Sequence, residues 1–239
     1  MTHQASLPAA PVRRPDRRAV TDWTLARLHE MVFNGELQSG DVLSEIELAE
    51  RLSVSRSPVR DALKELDHSG LLDVDEVNGR RVLRPFRIAD VAELYDLRSE
   101  LEALAARYAS GTPSTAFLNE LAARLDSMRH AVNEPIETWL PLDFAFHRSI
   151  SDGSGARRVP RVLSGIWIQH QALLRRMALV GSYPSTAEER IDVIEDHRRI
   201  LEAISEADPP KADAALRSHL DRRRAIVMAA LEKRGEAGV

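Results

Sequence analysis

The sequence contains no cysteine, and this absence excludes several kinds of chemistry at once. Disulfide bonds, thiolate nucleophiles and cysteine-ligated zinc fingers all need a thiol, and none of the 239 residues supplies one. No apolar run reaches the roughly 20 residues that a membrane-spanning helix needs, and the first residues include no apolar signal segment. Because 44% of the residues are hydrophobic, the chain can still bury a core. We therefore expect a globular, cytoplasmic protein that has no membrane partner.

An excess of positive charge, which is common in nucleic-acid-binding proteins, is also lacking. The formal net charge is −4. Residues 1–85 carry 12 Lys and Arg against 14 Asp and Glu, and residues 86–239 carry 21 against 23. Since the two parts have the same balance, the net charge does not identify a partner, and only the local clustering of cations can do so.

Residues 1–19 combine three prolines with small residues and show no apolar period, so we predict a disordered arm there. Four arginines lie close together in the segment RRPDRR at residues 13–18. Such a basic arm can add contacts to phosphates or to the minor groove, but a short charged tail can also be solvated without having a function. The sequence leaves both alternatives open.

Three helices are predicted between residues 20 and 69. The first runs from Val20 to Phe33, and its apolar stripe, which includes Trp23, should pack on the other two. The second begins at Ser44, which forms a capping box with Glu47. The apolar positions of this second helix recur at helical spacing: Ile46, Leu48, Ala49 and Leu52.

The third helix follows a tight turn and has one apolar and one basic face. Ser55 can cap it, and Pro58 lies in its first turn, where a missing N–H removes no intrahelical hydrogen bond. Its apolar stripe consists of Val59, Ala62, Leu63 and Leu66. Arg56, Arg60 and Lys64 recur at four-residue steps on another face. Arginine can donate hydrogen bonds to both acceptors of guanine, and the N-terminus of a helix attracts phosphate, so this face suits DNA. The alternative is an ordinary amphipathic helical hairpin with a solvated basic face, which would show the same spacing.

A short hairpin is predicted after the third helix. Gly70 ends that helix, residues 71–74 have the composition of a strand, and the Asn-Gly pair at residues 78–79 is typical of a two-residue hairpin turn. Arg80 and Arg81 follow the turn directly. Two helices and a hairpin tipped with arginines describe a winged helix-turn-helix, whose hairpin touches the DNA backbone or the minor groove.

These residues resemble the DNA-binding domain of GntR-type bacterial transcription regulators over about residues 20–84. The resemblance is carried by the run Gly35-x4-Gly40-x2-Leu43-x-Glu45-x2-Leu48-Ala49-x2-Leu52-x-Val54-Ser55-Arg56-Ser57-Pro58-Val59-Arg60-x-Ala62-Leu63, with Gly70-Leu71 after it. It implies that bases and phosphates are contacted by Ser55, Arg56, Ser57 and Arg60, and that Gly79 is the wing glycine. With the neighbouring positions added, the predicted DNA-binding residues are Ser55, Arg56, Ser57, Pro58, Arg60, Lys64, Gly79, Arg80 and Arg81.

From Ile88 onward the apolar period is helical throughout. Six helices are predicted, at residues 88–110, 115–132, 138–150, 159–179, 186–206 and 211–234. Ser185 with Glu188 forms a capping box, and Asp208 caps the last helix. Pro141 lies inside the third of these helices and predicts a kink or a restart there. We therefore expect an all-α bundle of about six helices, and a protein that is mainly α.

Four polar side chains of this bundle form a candidate metal site. Asp143 and His147 are four residues apart, so they project from one helix face and can share an ion. His197 and His219 lie on the last two helices and would complete the site if these helices pack alongside. Nitrogen-rich ligation favours zinc, with nickel, manganese or iron as alternatives. Each histidine taken alone could also be a lone polar residue on a helix.

The same positions are similar to the FadR C-terminal-domain (FCD) branch of the GntR family. The similarity rests on Asp143-x3-His147, on Glu195-Asp196-His197 and on His219-Leu220. It implies that Asp143, His147, His197 and His219 bind a divalent metal ion above which a carboxylate effector docks. Arg98, followed by Glu102, matches the Arg-x3-Glu pattern of the branch. Arg98 would fork onto the effector carboxylate, or would simply form an intrahelical ion pair.

The sequence thus predicts a DNA-binding transcription regulator, which we expect to be a repressor. Its parts are a basic arm at 1–19, a winged helix-turn-helix at 20–84 and an all-α effector-binding and dimerisation domain at 88–234. A homodimer would read a palindromic operator in double-stranded DNA, and a small organic acid would shift its affinity. The alternatives are a metal-dependent hydrolase built in the helix bundle and tethered to a DNA-binding module, and a regulator whose metal is structural.

Overall fold

Helices and one small sheet make up the described part of the chain. The computed structural model describes residues 16–75, 79–183 and 185–234. Its elements, in chain order, are α1 (Arg17–Phe33), α2 (Glu45–Leu52), α3 (Arg56–His68), β1 (Leu72–Val74), β2 (Arg81–Leu83), α4 (Ile88–Ala109), α5 (Thr115–His130), α6 (Ile136–Gly153), α7 (Val159–Leu179), α8 (Ala187–Ser205) and α9 (Pro209–Arg234). The mainly helical fold class predicted from the sequence is confirmed.

Helix α1 begins at Arg17 rather than at Val20, so the end of the predicted arm is helical. Asp16 caps it, because its side chain accepts a hydrogen bond from the backbone N–H of Arg18. The remainder of the arm, residues 1–15, lies outside the described residues. Helix α1 packs on α3 and reaches α7. The side that carries Trp23 is not covered by either helix, and the prediction that Trp23 is buried is therefore wrong.

Helices α2 and α3 form the predicted helix-turn-helix, and the apolar stripe of α3 is buried. Ser44 caps α2, since its Oγ accepts a hydrogen bond from the N–H of Glu47 at 3.4 Å. Ser53 makes the turn in the left-handed conformation, with φ 54°. Ser55 occupies the N-cap position of α3 without a capping hydrogen bond from its side chain. Ile46 is exposed, contrary to its predicted place in the stripe of α2.

Strands β1 and β2 form the wing in antiparallel register, with Leu72 opposite Leu83 and Val74 opposite Arg81. The pairing continues one step further, because the backbone N–H of Asp75 donates a hydrogen bond to the carbonyl oxygen of Arg80 at 2.8 Å. Asn78 lies outside the described residues. Gly79 has φ 67°, a backbone conformation that favours glycine.

The helices α4–α9 form the bundle that the sequence predicts. Helix α4 packs on α6, α7 and α9, while α5 packs on α6 and α8. The capping box of α8 is formed by Thr186 and Glu189, one residue later than predicted, because Ser185 accepts a hydrogen bond from Arg190 instead. Asp208 caps α9 as predicted, accepting from the N–H of Lys211. Among the described helices, none is both long and apolar enough to cross a membrane.

Pro141 lies inside α6, which runs from Ile136 to Gly153 without restarting. Proline has no N–H, so the carbonyl of Glu137, four residues earlier, loses its helical partner. Arg175 of α7 donates a hydrogen bond to that carbonyl at 3.1 Å. This contact between two helices replaces the missing intrahelical bond, which explains why the helix can continue through the proline.

Candidate metal centre and DNA-reading surface

The basic face of α3 points away from the core. Val59, Ala62 and Leu63 are buried on the opposite side, and the side chains of Arg56, Arg60 and Lys64 are about half exposed. A helix that enters the major groove reads base edges with its N-terminal residues, and Arg56 and Arg60 stand in that part of α3. Of the nine predicted DNA-binding residues, these three cations are therefore exposed on the outer face of α3.

Carboxylates adjoin all three cations. Glu45 of α2 has a carboxylate oxygen 3.1 Å from Arg60 Nε and 3.8 Å from Arg56 Nη2. Asp61 lies 3.6 Å from Lys64 Nζ. Exposed ion pairs of this kind contribute little to folding stability and are weakened by salt, so phosphates can compete for these cations.

Two of the predicted DNA-binding residues contact other parts of the domain. Pro58 is buried, so it shapes the first turn of α3. Arg81 turns towards α3, where its Nε lies 3.8 Å from an oxygen of Asp67. Arg80 and Gly79 stay on the outside of the wing. They line a cleft of about 440 Å³ between the wing and the start of α2.

Helices α6, α8 and α9 bring three of the four predicted metal ligands together. His147, His197 and His219 are buried, and one nitrogen from each lies within 4.8 Å of the others. The Nε2 atoms of His147 and His197 are 3.2 Å apart. Two nitrogens on a tetrahedral zinc ion, each about 2.0–2.1 Å from it, would be separated by roughly 3.3 Å. The spacing of these imidazoles therefore fits a single ion.

Asp143, the fourth predicted ligand, stands at the edge of this group. It lies one turn before His147 on α6, and its Oδ1 is 3.5 Å from Nε2 of His197. It does not belong to the compact group that the three histidines form. The structure thus places Asp143 next to the centre, in contact with one of the imidazoles.

Carboxylates stand behind two of the imidazoles. Nδ1 of His147 lies 2.7 Å from Oε2 of Glu102, although the atoms are not aligned for a hydrogen bond. Nδ1 of His219 lies 3.4 Å from Oδ2 of Asp196. A carboxylate in this position selects the tautomer and orientation of a metal-binding histidine. A carboxylate thus stands beside the Nδ1 atom of both histidines, which leaves their Nε2 atoms for the centre.

The remaining groups around the imidazoles are also held in place. Nδ1 of His197 lies 3.4 Å from the sulfur of Met128. Asp196 is itself fixed by Arg222, which donates hydrogen bonds to both carboxylate oxygens. Sequence reasoning assigned no role to Met128 or Asp196. Asp196 had a signal in the sequence, because it belongs to the Glu195-Asp196-His197 run that carries the FCD similarity, whereas Met128 gives no signal.

Burial keeps two of these histidines neutral. Burial, followed by the nearby His219 and His147, lowers the pKa of His197 well below its ordinary value. Burial also lowers the pKa of His219 to about 4, although the hydrogen bond with Asp196 opposes that change. Neutral imidazole is the form that binds a metal ion. Both side chains are therefore ready to act as ligands at neutral pH.

Arg98 and Glu102 form a buried ion pair beside the histidines, each with about 3% of its side chain exposed. Arg98 Nε and Trp167 Nε1 both donate to Glu102 Oε1, at 2.7 Å each. Arg98 Nη1 lies 2.9 Å from Nδ1 of His170. Burial would raise the pKa of Glu102, but Arg98 and His147 outweigh it and hold that pKa below its usual range. The intrahelical pair considered for Arg98 is therefore present.

One donor of Arg98 is left over. Its Nη2 is buried and has no hydrogen-bond partner within the described part of the chain. A cavity of about 260 Å³ between α6 and α7 is lined in part by Phe144, Trp167 and Arg148. Phe144 stacks under the Arg98 guanidinium at 5.6 Å, and Trp167 binds Glu102. The walls of the cavity thus contact the Arg98–Glu102 pair directly.

Two protein families match this chain. Residues 23–82 match the family described as bacterial regulatory proteins, gntR family, and residues 93–222 match the FCD domain. Both ranges lie inside the domains predicted at 20–84 and 88–234. A helix-turn-helix regulator from an unstable DNA locus of Streptomyces ambofaciens is 34% identical over 197 residues, which cover 81% of this chain and 79% of that protein.

Two further similarities agree with these matches. The probable D-xylose utilization operon transcriptional repressor of Paenarthrobacter nicotinovorans is 28% identical over 190 residues, or 79% of this chain and 80% of that protein. The solved structure of E. coli McbR/YncC shares the fold, with a TM-score of 0.74 and 22% identity over 89% of this chain and 98% of its own. The matched families and relatives are regulators rather than enzymes. This chain therefore belongs to the GntR family of bacterial transcription regulators, with an FCD domain after its winged helix-turn-helix.

Proposed function

We propose that this regulator represses transcription as a homodimer on a palindromic operator, and that a small organic acid docked at a divalent metal ion changes its operator affinity. The observation that carries the proposal is the buried convergence of three imidazoles, two of them backed by carboxylates. Such an arrangement is costly to build for neutral polar side chains alone, since burying polar groups without a partner is unfavourable. A bound ion would give all three Nε2 atoms a common partner.

His147, His197 and His219 would hold the ion, and Asp143 would complete the ligand set from its position beside His197. Zinc suits three nitrogens and one oxygen best, and nickel, manganese or iron would also accept them. A bound ion would supply positive charge, and by taking more than four ligands it would accept a carboxylate oxygen of the effector. Asp143 needs only a small movement towards the centre, because its Oδ1 is already 3.5 Å from His197 Nε2.

Arg98 would bind the effector carboxylate through the buried Nη2 that has no partner within the described residues. A carboxylate there would satisfy this donor with a charge-assisted hydrogen bond. Glu102 and His170 hold the rest of the guanidinium in place, so Arg98 would be preorganised for that contact. The cavity beside Phe144 and Trp167 would receive the remainder of a small acid.

Helix α7 offers a route from this site to the DNA-binding domain. Trp167 contacts Glu102, as described above. Gly165 packs against α3, since a Cβ there would lie 3.5 Å from the Cα of Ser69. The side chain of Gln169 fills the space that a Cβ on Gly70 would need. An effector that binds one arrangement of α7 more tightly than another would increase the population of that arrangement, and α3 would move with α7. The difference between the two affinities sets the size of this population shift.

An accessible apolar stripe on α4 would form the homodimer contact. Its members follow one another at steps of four, three and four residues: Leu97, Leu101, Leu104 and Tyr108. Leu97 and Tyr108 are exposed, and the two residues between them are partly buried. This is the spacing of a helix-to-helix seam, and a second copy of the same stripe would cover it. Two copies of α3 would then read two half-sites.

The dimer is tested by sedimentation analysis of Tyr108→Glu. The variant places a charge in the seam, so it should dissociate at concentrations where the wild-type chain is a dimer. Ile191→Glu is the matched control, because Ile191 is equally exposed but lies on α8. A Tyr108→Glu protein that stays dimeric would place the interface elsewhere.

The effector is tested by titrating operator binding with small organic acids, such as acetate, lactate, succinate and citrate, before and after removal of metal with a chelator. The operator is first selected from random duplexes. We expect at least one acid to change operator affinity, and this response should disappear with the metal and return with zinc. If acids act equally well without metal, the metal part of the proposal fails. If none acts although the metal is bound, the ion is structural.

A further inference from the structure

Glu45, the first residue of α2, stands at the basic face of α3. It is the most enclosed member of the ion pairs there, with 22% of its side chain exposed. Its two oxygens lie 3.2 and 3.1 Å from Nε of Arg60, and one of them is 3.8 Å from Nη2 of Arg56. A single carboxylate therefore touches both arginines expected to read the operator.

The contact involves one edge of the Arg60 guanidinium. Nε donates to Glu45, whereas Nη1 and Nη2 have no hydrogen-bond partner within the ranges that the structure describes. Arginine reads guanine by donating two hydrogen bonds, to O6 and N7. With Nε held by the protein, the two terminal amino groups are the donors left for such a fork.

We propose that Glu45 is a positioning residue for operator reading. It holds Arg60 by the Nε edge, so that Nη1 and Nη2 are presented to a guanine, and it keeps Arg56 close by. This inference rests on the proposed use of α3 as the reading helix. Without Glu45, the long side chain of Arg60 would bind a phosphate as readily as a base.

A carboxylate in the first turn of α2 stabilises the helix, but its ion pairs with the arginines add little to folding stability. Exposed ion pairs contribute little, and α2 is already attached to the core by the buried residues Leu48 and Ala49. A carboxylate on a DNA-facing surface also repels phosphates. That repulsion weakens every complex in which Arg60 is not correctly paired, and so it favours the specific complex over non-specific ones.

The test measures sequence preference rather than affinity alone. The wild-type chain selects a consensus from random duplexes, and Arg60→Ala identifies the base position at which that preference is lost. Glu45→Ala should relax the same position and lower the ratio of specific to non-specific affinity by about 10-fold, which is part of the discrimination that one bidentate contact provides. Its affinity for random duplexes should stay the same or rise.

Three comparisons make this test decisive. Glu50→Ala removes the same charge from an exposed site on α2 and should leave the preference unchanged. Glu45→Gln should recover part of it, because an amide oxygen can still accept from Nε. In the Arg60→Ala background, Glu45→Ala should relax nothing further at the base position that Arg60 reads.

Two results would overturn the inference. One is a Glu45→Ala protein with the base preference of the wild type, and the other is one that loses affinity equally for all duplexes. A glutamine variant no better than alanine would also reject positioning by hydrogen bond. A wild-type chain that selects no sequence at all would instead reject the use of α3 as the reading helix.

Discussion

The reading surface of α3 and the histidine centre of the bundle use charge in opposite ways. On α3, the arginines are half exposed and their carboxylate partner is accessible. In the bundle, Arg98 and Glu102 are almost completely buried. Water and salt can replace a partner at the surface, but a buried charge that loses its partner has nothing to replace it. The ion pairs of the surface can therefore be exchanged for other partners, whereas the buried pair of Arg98 and Glu102 needs both of its members.

The largest effect should follow from breaking the buried pair. Glu102→Ala leaves Arg98 charged and without its carboxylate, so the free energy of unfolding should fall by about 3–5 kcal/mol. Urea unfolding measures this change. Asp126→Ala removes the partner of Arg129 in an exposed pair and should change stability little. If both variants lost the same free energy of unfolding, the buried pair would be no more important for stability than the exposed pair, and the prediction would be wrong.

The next effect concerns metal binding. His197→Ala removes an imidazole from the middle of the centre, and zinc affinity should fall by more than the roughly 10–100-fold typical of losing a group behind a ligand. Competition with a chromophoric chelator measures it. His130→Ala, an exposed histidine on α5, serves as the control. Unchanged metal content in the His197 variant would place the ion elsewhere.

Arg56→Ala should weaken operator binding by about 1–3 kcal/mol and relax one base position. Its metal content should be unaffected, because the reading surface and the centre lie in different domains. Fluorescence anisotropy with the selected operator measures the binding. Arg124→Ala, a similarly exposed cation of the bundle, should bind normally. An unchanged footprint for Arg56→Ala would mean that another helix reads the DNA.

The smallest effect is in proton release. An ordinary histidine has a pKa near 6.5 and at pH 6 must lose its proton before it binds zinc. Since the pKa of His197 is lowered and that of His219 is about 4, neither should release a proton when zinc binds at pH 6. Titration calorimetry in buffers of different ionisation enthalpy counts the protons. Release of two or more protons would contradict the neutral state of His197 and His219.

Local patterns predicted the helices well because their causes are local. The buried stripe of α3 and the cap at Asp208 follow from residues three or four positions apart. The Arg-x3-Glu spacing likewise predicted the ion pair of Arg98 and Glu102. Errors arose where a distant element intervened. Ile46 and Trp23 were expected on buried stripes, and their exposure depends on which other elements cover α2 and α1.

By itself, the sequence determined the order of the helices and the winged helix-turn-helix, since these depend on periodicity and on motif spacing. It offered four candidate ligands, and the tertiary structure brings three of them, the histidines, together. The tertiary structure decided that the carboxylates of Glu102 and Asp196 stand behind the imidazoles. It also decided that Glu45 of α2 reaches Arg60 of α3. It also replaced the hydrogen bond missing at Pro141 with one from Arg175. The physical reason is that each of these contacts joins two different elements. Their geometry depends on how whole helices pack, which no local period specifies.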